Sequence, residues 1–592
     1  MEEQQASGDP WPLAVMALTA TAREASLEAP SDVLPLSAAD YDHPDVARRV
    51  RATKRLVLHR VDDGKVVDPI VGQVKFYAGS GAAVLVFLRT VDDVVAAVAK
   101  LKKAGLATQQ LTGTMRGYER DRLVATDPIF RRFLPPSAGE GVEAASGTVV
   151  LVATSAGEVG VNLSADHLVC DLSTFDAMAQ RFGRVNRFGL RDDSEVHVFH
   201  PPEDALRSGK KGKRGDGEEP SAPPDDRDID VRRLRTLELL RRLDGDASPR
   251  ALSALDVADR EAAFAPSPEI LPLTDVLLDA WAMTTIREPL AGRPPVSAYL
   301  HGVAEWEPPT VQVAWRDEVD LVWDADRHRD ELLERYPPGA LLEDFPLKPH
   351  ELLSDQPRRV LETLRAAVAA HPDAEKARVW RVHEDGTVTV QTLRELVAAD
   401  PKQLAGELAW NTLVLGARSC RPTGGMLTVE GFAPSAEGGS ADVSEEWSDA
   451  RGPRRARRFD DEPAPDGMRL IRVLRLRESE VTEDESESAG PVLWSWYERP
   501  RGGDDEGSRA ARKPVRLDVH SGDVERCARR IVEGLPLDPG IRRAVILAAK
   551  HHDDGKRRRL WQLSIGNSDS DLILAKGGGR MRPRELTAYR HE

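Results

Sequence analysis

Cysteine is scarce: Cys170, Cys420 and Cys527 are the only three in 592 residues, and no two are spaced C-x-x-C. A disulfide-framed secreted fold and a thiolate zinc centre are excluded, and a reducing compartment fits. No run approaches the ~20 apolar residues of a membrane-spanning helix. The first nine residues are acidic and polar, where a secretion signal is basic and then apolar. A soluble, cytoplasmic protein is expected. No lysine is followed by Ser or Thr, so the phosphate cradle G-x-x-x-x-G-K-(S/T) is missing. Positive charge is also in deficit, with a net of −16, which excludes a surface basic throughout.

Hydrophobic residues make up 41% and charged residues 30%, enough for packed cores with solvated segments between them. At roughly 100–200 residues per domain, about three or four domains are expected. Between Ala83 and His200, short β-branched runs (Val84 to Leu88, Val149 to Val152) alternate with helical stretches (Val91 to Lys103, Phe175 to Asn186). That alternation predicts an α/β unit with a parallel sheet. We place it at residues 46–205, after a short segment 1–45. Residues 206–230, with the basic run Lys210 to Arg214, read as a charged linker. Residues 231–434 mix helical periodicity with strand-like pieces around Trp315 and Trp323, an α+β accessory region. Residues 435–509, including the acidic run Glu478 to Glu487, read as an exposed flexible segment. Residues 510–592 are helical again and basic, with 18 Lys/Arg against 11 Asp/Glu. Val524, Cys527, Ala528 and Ile531, and then Ile541, Ala544, Val545 and Ala548, repeat at i, i+3, i+4, i+7 and predict two helices with buried apolar faces.

Two constellations carry chemistry. The first begins at Val152-Ala153-Thr154-Ser155-Ala156-Gly157-Glu158-Val159-Gly160-Val161-Asn162, a glycine-containing turn after a buried strand. Gly157 and Gly160 let backbone amides approach a phosphate or ribose, although an ordinary tight turn looks the same. Gln180-Arg181-Phe182-Gly183-Arg184-Val185-Asn186-Arg187 follows. On a helix Arg184 and Arg187 would share a face and could grip one polyanion; alone, such a pair is usually a solvated face. Together the two elements resemble motifs V and VI of superfamily 2 helicases. Thr19-Ala20-Thr21 resembles motif III, Leu85 to Leu88 motif IV, and Leu111-Thr112-Gly113 the segment after it. The resemblance implies the second RecA-like helicase domain, with Arg184 and Arg187 as arginine fingers and Gln180 as a nucleotide sensor. It implies that Gly157, Gly160 and Asn162 lie at the nucleotide and that Thr154 and Ser155 contact nucleic acid. It also implies ATP with Mg2+ held by a first RecA-like domain that this sequence lacks, so the chain is expected to start between motifs II and III. Asp317-Glu318-Val319-Asp320 mimics a D-E-x-D box but falls after motif VI and is read as chance.

The second constellation is Lys550-His551-His552-Asp553-Asp554-Gly555-Lys556. A His-Asp step closing a helix can hold a hard or borderline metal ion, though a satisfied core histidine is the commoner outcome. The pattern H-D-x-G-K, with His520 upstream and Arg590-His591-Glu592 downstream, resembles the HD nuclease of CRISPR-associated helicase–nucleases of type I systems, in the subtype with a C-terminal HD domain (I-U/I-G-like). That family implies an all-α HD domain, incomplete here, with His520, His552, Asp553 and His591 as ligands to Mn2+, Ni2+, Co2+ or Fe2+. Asp553 would also be catalytic, and Lys556 would neutralise a substrate phosphate. It implies CRISPR interference: ATP-driven translocation on target DNA, cleavage of the single strand, and a guide-RNA surveillance (Cascade-type) complex as partner. Two other readings stand beside it, an HD phosphohydrolase acting on nucleotides and a non-catalytic DNA-binding fragment. Trp315, Trp323, Trp380 and Trp410 are read as core residues rather than base-stacking platforms.

Overall fold

The computed structural model describes residues 37–135, 142–158, 161–207, 228–267, 269–282, 294, 296–300, 309–321, 329–434, 439–449, 452–459, 462–477, 492–499, 514–565, 567 and 569–576. Thr19 to Thr21, Gly160, Lys210 to Arg214, Trp323, Glu478 to Glu487 and His591 lie outside them.

Six strands form one parallel sheet: β1 (Arg55–Arg60), β2 (Ala83–Phe87), β3 (Ala107–Leu111), β4 (Val149–Ala153), β5 (His167–Asp171) and β6 (Glu195–His200), in the order β1-β6-β5-β2-β4-β3. Every residue of β2, β4 and β5 is buried, as strands covered on both faces must be, and this is why they read as unbroken apolar runs. Helices α1 (Val67–Phe76) and α2 (Val91–Lys103) cover one face through Ile70, Val74, Val94 and Leu101. Helix α3 (Phe175–Phe182) covers the other with Met178 and Phe182. The bounds of α2 follow from its ends. The Thr90 hydroxyl accepts from the Asp93 N–H, acids occupy the first turn, and Lys100, Lys102 and Lys103 occupy the last. From β2 the chain crosses by α2 to β3, whereas from β5 it crosses by α3 on the opposite face to β6. The carboxyl ends of β2 and β5 therefore flank a topological switch point, where open α/β sheets place their ligands.

The boundary expected at residue 230 moves. Leu237, Leu240, Leu243 and Ala247 join the core beneath the sheet, the Leu56 N–H donates to Gly245 O at 2.7 Å, and the Phe175 N–H donates to Ala263 O at 3.0 Å. The helix Ile229–Arg242 thus belongs to the parallel-sheet unit, to which it adds an apolar face the linker charges had obscured.

The accessory region holds a five-stranded mixed sheet in the order β10 (Val388–Thr392), β9 (Arg378–Val382), β11 (Thr412–Gly416), β7 (Val311–Arg316), β8 (Leu353–Asp355). Trp315 and Trp380 are buried, while Trp410 is 54% exposed and sits at φ +63 in a turn, a departure from the expected core position. Residues 435–509 also depart from expectation, because Arg455–Phe459, Arg469–Arg477 and Val492–Glu498 form an antiparallel sheet. Its Trp494, Trp496 and Leu474 pack on Ala314, Val319, Trp380 and Val414. The arginines alternating with apolar residues in Arg469–Arg477 gave this strand the composition of a loop. Asp317–Leu321, the D-E-V-D mimic, is a short helix whose Glu318 is buried against Arg316 at 2.9 Å and Arg457 at 3.1 Å.

The accessory region docks on the loop after β3. The Arg116 N–H donates to Gly425 O at 2.7 Å and the Gly117 N–H to Leu352 O at 3.1 Å. A Cβ on Gly117 would lie 2.8 Å from both His350 Cα and Pro349 O. In the last segment, α4 (Leu517–Glu533) packs on α5 (Pro539–His551), and Val515–Arg516 pairs antiparallel with Leu574–Lys576, so the described part is not purely helical. Ile541, Val545 and Leu547 of α5 are exposed, so the expected buried face of that helix meets no partner among the described residues. No helix of the described residues is long and apolar enough to cross a membrane.

Gly117→Val should press its new side chain against the Pro349 and His350 backbone and cost about 1–3 kcal/mol, read as a lowered urea midpoint. A second expectation concerns His59, His167 and His197, packed around Tyr77 and Glu195, with Tyr77 Oη 2.9 Å from His197 Nε2. Burial lowers the pKa of all three, with His197, Arg191 and Arg55 adding to the effect on His59, His167 and His197 respectively. The unfolded chain then binds more protons as pH falls, so this stability is present above roughly pH 6.5 and is lost below it. The thermal midpoint should drop between about pH 7.5 and 5.5; a midpoint constant over that range would contradict the assignment.

Candidate functional site

At the end of β4, Thr154 is buried and its N–H donates to Leu111 O at 3.1 Å, while Ser155 begins a single 3-10 turn and is exposed. Gly157 is buried against β2: a Cβ there would lie 3.0 Å from the Phe87 ring. Asn162 is exposed. The next residue after the turn, Glu158, organises the site. Its carboxylate accepts from Arg181 Nε at 2.7 Å, and its carbonyl accepts from Arg184 Nε at 3.1 Å and from Arg184 Nη2. Arg181 also binds Asp171 Oδ1 at 3.0 Å and lies over the Phe87 ring, and the two carboxylates keep it charged despite full burial. The two sequence elements are thus one structure, joined through Glu158. Sequence reasoning passed over Glu158 and Arg181; the signal was a lone acid in the first element facing an extra arginine in the second.

Arg184 and Arg187 do not share a helix face. Helix α3 ends at Phe182, Val185 bridges to Ala165, and Asn186 adopts φ +42, so both arginines leave from a turn. The turn is fastened from below. Lys54 Nζ donates to Phe182 O at 2.7 Å, and Asn186 Nδ2 donates to Thr53 O at 3.1 Å and to Arg191 O at 2.7 Å. Burial, with the Arg187 charge nearby, brings the Lys54 pKa down to about 8. Arg184 is half-buried, and Arg187 is exposed with no carboxylate partner among the described residues. Gln180 is half-buried on α3.

In the last segment His520 lies in the first turn of α4, His552 caps the C-terminus of α5, and Asp553 follows it, 4% exposed. Asp553 Oδ2 stands 3.2 Å from His520 Nε2 and 3.3 Å from His552 Nε2, and ligand atoms of the three groups lie within 4.8 Å of one another. His552 Nδ1 is 2.8 Å from Ala549 O, a bond only an N–H can make, so neutral His552 presents a bare Nε2 lone pair to the carboxylate. Two acceptors at that distance require a cation or a proton between them. Burial lowers the pKa of His520, which favours the neutral, ligating imidazole, whereas the Asp553 charge opposes the shift. Two imidazoles and a carboxylate suit a borderline divalent metal, so the residues present fit the implied ion. Lys556 departs from its expected role: it is 4% exposed and its ammonium is committed to Asp553 Oδ2 at 2.6 Å, over the Trp561 ring. His551 turns instead to Asp554, at 2.9 Å.

Residues 80–189 match the family described as CRISPR-associated nuclease/helicase Cas3, C-terminal. No curated protein sequence matches the chain. Among solved structures, a CRISPR-associated protein is similar at 16% identity and TM-score 0.29, covering 58% of this chain and 41% of that one. T. fusca Cas3 with ATP is similar at 20% identity and TM-score 0.27, over 44% and 30%. The C-terminal domain of the DEAD-box protein Dbp5 follows at 22%, 0.20, 26% and 78%. The matched part of this chain spans 41% and 30% of the first two.

Arg181→Met would strand the buried Glu158 carboxylate and take from Asp171 one of its two cations, and should cost about 3–5 kcal/mol in urea unfolding. Arg184→Gln removes only a bond to a carbonyl and should cost less than about 1.5 kcal/mol.

Proposed function

We propose that the chain serves CRISPR interference as a helicase–nuclease component that cuts single-stranded DNA at the His520, His552 and Asp553 site. The observation that carries the reading is the convergence of those three groups on one point from two helices. His520, His552 and Asp553 would hold a divalent ion, which would supply Lewis acidity for phosphodiester hydrolysis. The protein's part is positional. The Ala549 carbonyl fixes the His552 tautomer, and the Lys556 ammonium holds the Asp553 carboxylate in place and balances its charge. His591, outside the described residues, is a further candidate ligand.

In the RecA-like domain, the proposal assigns Arg184 and Arg187 to the phosphates of ATP and Gln180 to sensing the nucleotide. Exposed Asn162 is assigned to the nucleotide and exposed Ser155 to the DNA backbone, while buried Gly157 and Thr154 act through the turn that carries them; Gly160, outside the described residues, is a further candidate at the nucleotide. Glu158 couples the two halves, since a shift of the turn bearing Thr154 must move the carbonyl that orients Arg184. The P-loop and Mg2+ would come from a first RecA-like domain outside this sequence. The partners are target DNA and a guide-RNA surveillance complex, and the affinity for DNA should fall steeply with salt. Residues 80–189, similar to the Cas3 C-terminal family, support this reading.

The chain incubated with single-stranded DNA and Mn2+ or Ni2+, without ATP, should cut it, and Asp553→Ala should not. Equal cleavage by the variant, or neither cleavage nor metal uptake by the parent chain, would overturn the nuclease assignment.

A further inference from the structure

We propose that the crevice at the switch point between β2 and β5 binds a phosphate-bearing anion. A cavity of about 570 Å³ opens there, walled by Lys65, Val66, Arg89, Lys100, Asp171 and Arg233. Its size suits a phosphate chain or a nucleotide. None of these residues belongs to the arginine loop or to the His-Asp cluster, and the site stands independently of the nuclease reading.

The donors on the wall are unevenly used. Arg233 is 6% exposed; its Nε donates to Leu172 O at 3.1 Å and its Nη1 to Asp230 at 2.6 Å, which leaves Nη2 without a partner among the described residues. Arg89 uses its backbone N–H and its Nε on Asp171 Oδ2, at 3.0 and 3.3 Å, and both Nη atoms remain. The Lys65 ammonium has no partner among the described residues, and it is exposed. The acids, by contrast, are mostly occupied. Asp68 pairs with Lys100 and Asp171 is held by Arg89 and Arg181; Asp93 accepts from the Thr90 hydroxyl and keeps its charge, one carboxylate against the unpaired Lys65 and Arg233 donors. What faces the cavity is therefore mainly spare guanidinium and ammonium hydrogen, which suits an oxyanion.

Two further features point the same way. Helix α1 opens on the cavity wall, and its N-cap residue Val66 supplies no side-chain cap; Pro69 has no N–H and the Ile70 N–H is bonded to Val66 O, so the Val67 and Asp68 N–H groups are the two first-turn donors left for an outside acceptor. Arg89 and Arg233 are also close enough that, after burial, the Arg89 charge is the next cause lowering the Arg233 pKa. An anion between two such cations relieves their repulsion.

The test uses the full chain, with binding of tripolyphosphate followed by calorimetry and of fluorescent oligo(dT) by anisotropy at about 50 and 200 mM salt. Lys65→Glu reverses an exposed, unpaired charge and cannot unfold the unit, while Arg233→Gln removes the buried donor. Each should weaken tripolyphosphate binding by about tenfold, with a smaller loss at the higher salt. Oligo(dT) weakened in parallel identifies the phosphate as that of a passing strand, and oligo(dT) unchanged identifies a free phosphate compound. Tripolyphosphate that does not bind the parent chain, or binds the folded Lys65→Glu protein as tightly as the parent, would overturn the proposal.

Discussion

A carboxylate taken out of water must be met by a cation, and among the described residues three such meetings hold the parts of this chain together. Glu158 and Asp171 are met by Arg181, Glu318 and Glu351 by Arg316 and Arg457, and Asp553 by Lys556. The first joins the turn after β4 to the end of α3. The second fastens the accessory sheet to the strand Arg455–Phe459. The third holds the His-Asp step at the end of α5 to the 3-10 turn that follows it. Removing Arg181 would leave Glu158 without a cation in a packed interior, whereas in the accessory network Arg455 and Arg457 still face Glu351 and Glu318 when Arg316 is lost.

The three differ in what remains after pairing. In the accessory region Arg316 meets Glu318 and Glu351, and Arg457 meets Glu318, Asp442 and Glu445, so the charges answer one another and the network is structural. Around Glu158 the pairing is complete for Arg181, but it delivers a carbonyl to Arg184 and leaves Arg187 exposed. At Asp553 the lysine answers one charge while two imidazole nitrogens still point at the same oxygen. Of the three, only there does the arrangement call for a further cation or proton, which is why that cluster is the candidate metal centre.

The sheet was the most legible part of the sequence. Strands β2 and β4 fall where the β-branched runs place them, because burial on both faces leaves no freedom for polar residues, and helix α2 falls on the helical stretch Val91 to Lys103. The convergence of His520 with His552 and Asp553 was anticipated only through resemblance, since nothing local links residues on separate helices. Less legible were features that depend on where an element stops. Arg184 and Arg187 have helical spacing, yet Lys54, distant in sequence, holds the helix end at Phe182 and sends them out from a turn. The strands of residues 435–509 were hidden because their arginines are read as solvated charge, whereas Arg455, Arg457 and Arg472 are buried or nearly so, Arg457 and Arg472 in close ion pairs. The apolar stripe of α5 implied burial, and Ile541 and Val545 are exposed.

The central claim is that the His520, His552 and Asp553 cluster holds a metal ion. Crystals of the chain soaked in Mn2+ and measured at the manganese absorption edge test it most directly. The account predicts an anomalous peak within bonding distance of His520 Nε2, His552 Nε2 and an Asp553 carboxylate oxygen, and no such peak in Asp553→Ala. A parent crystal with full manganese sites elsewhere and none at this cluster would contradict it.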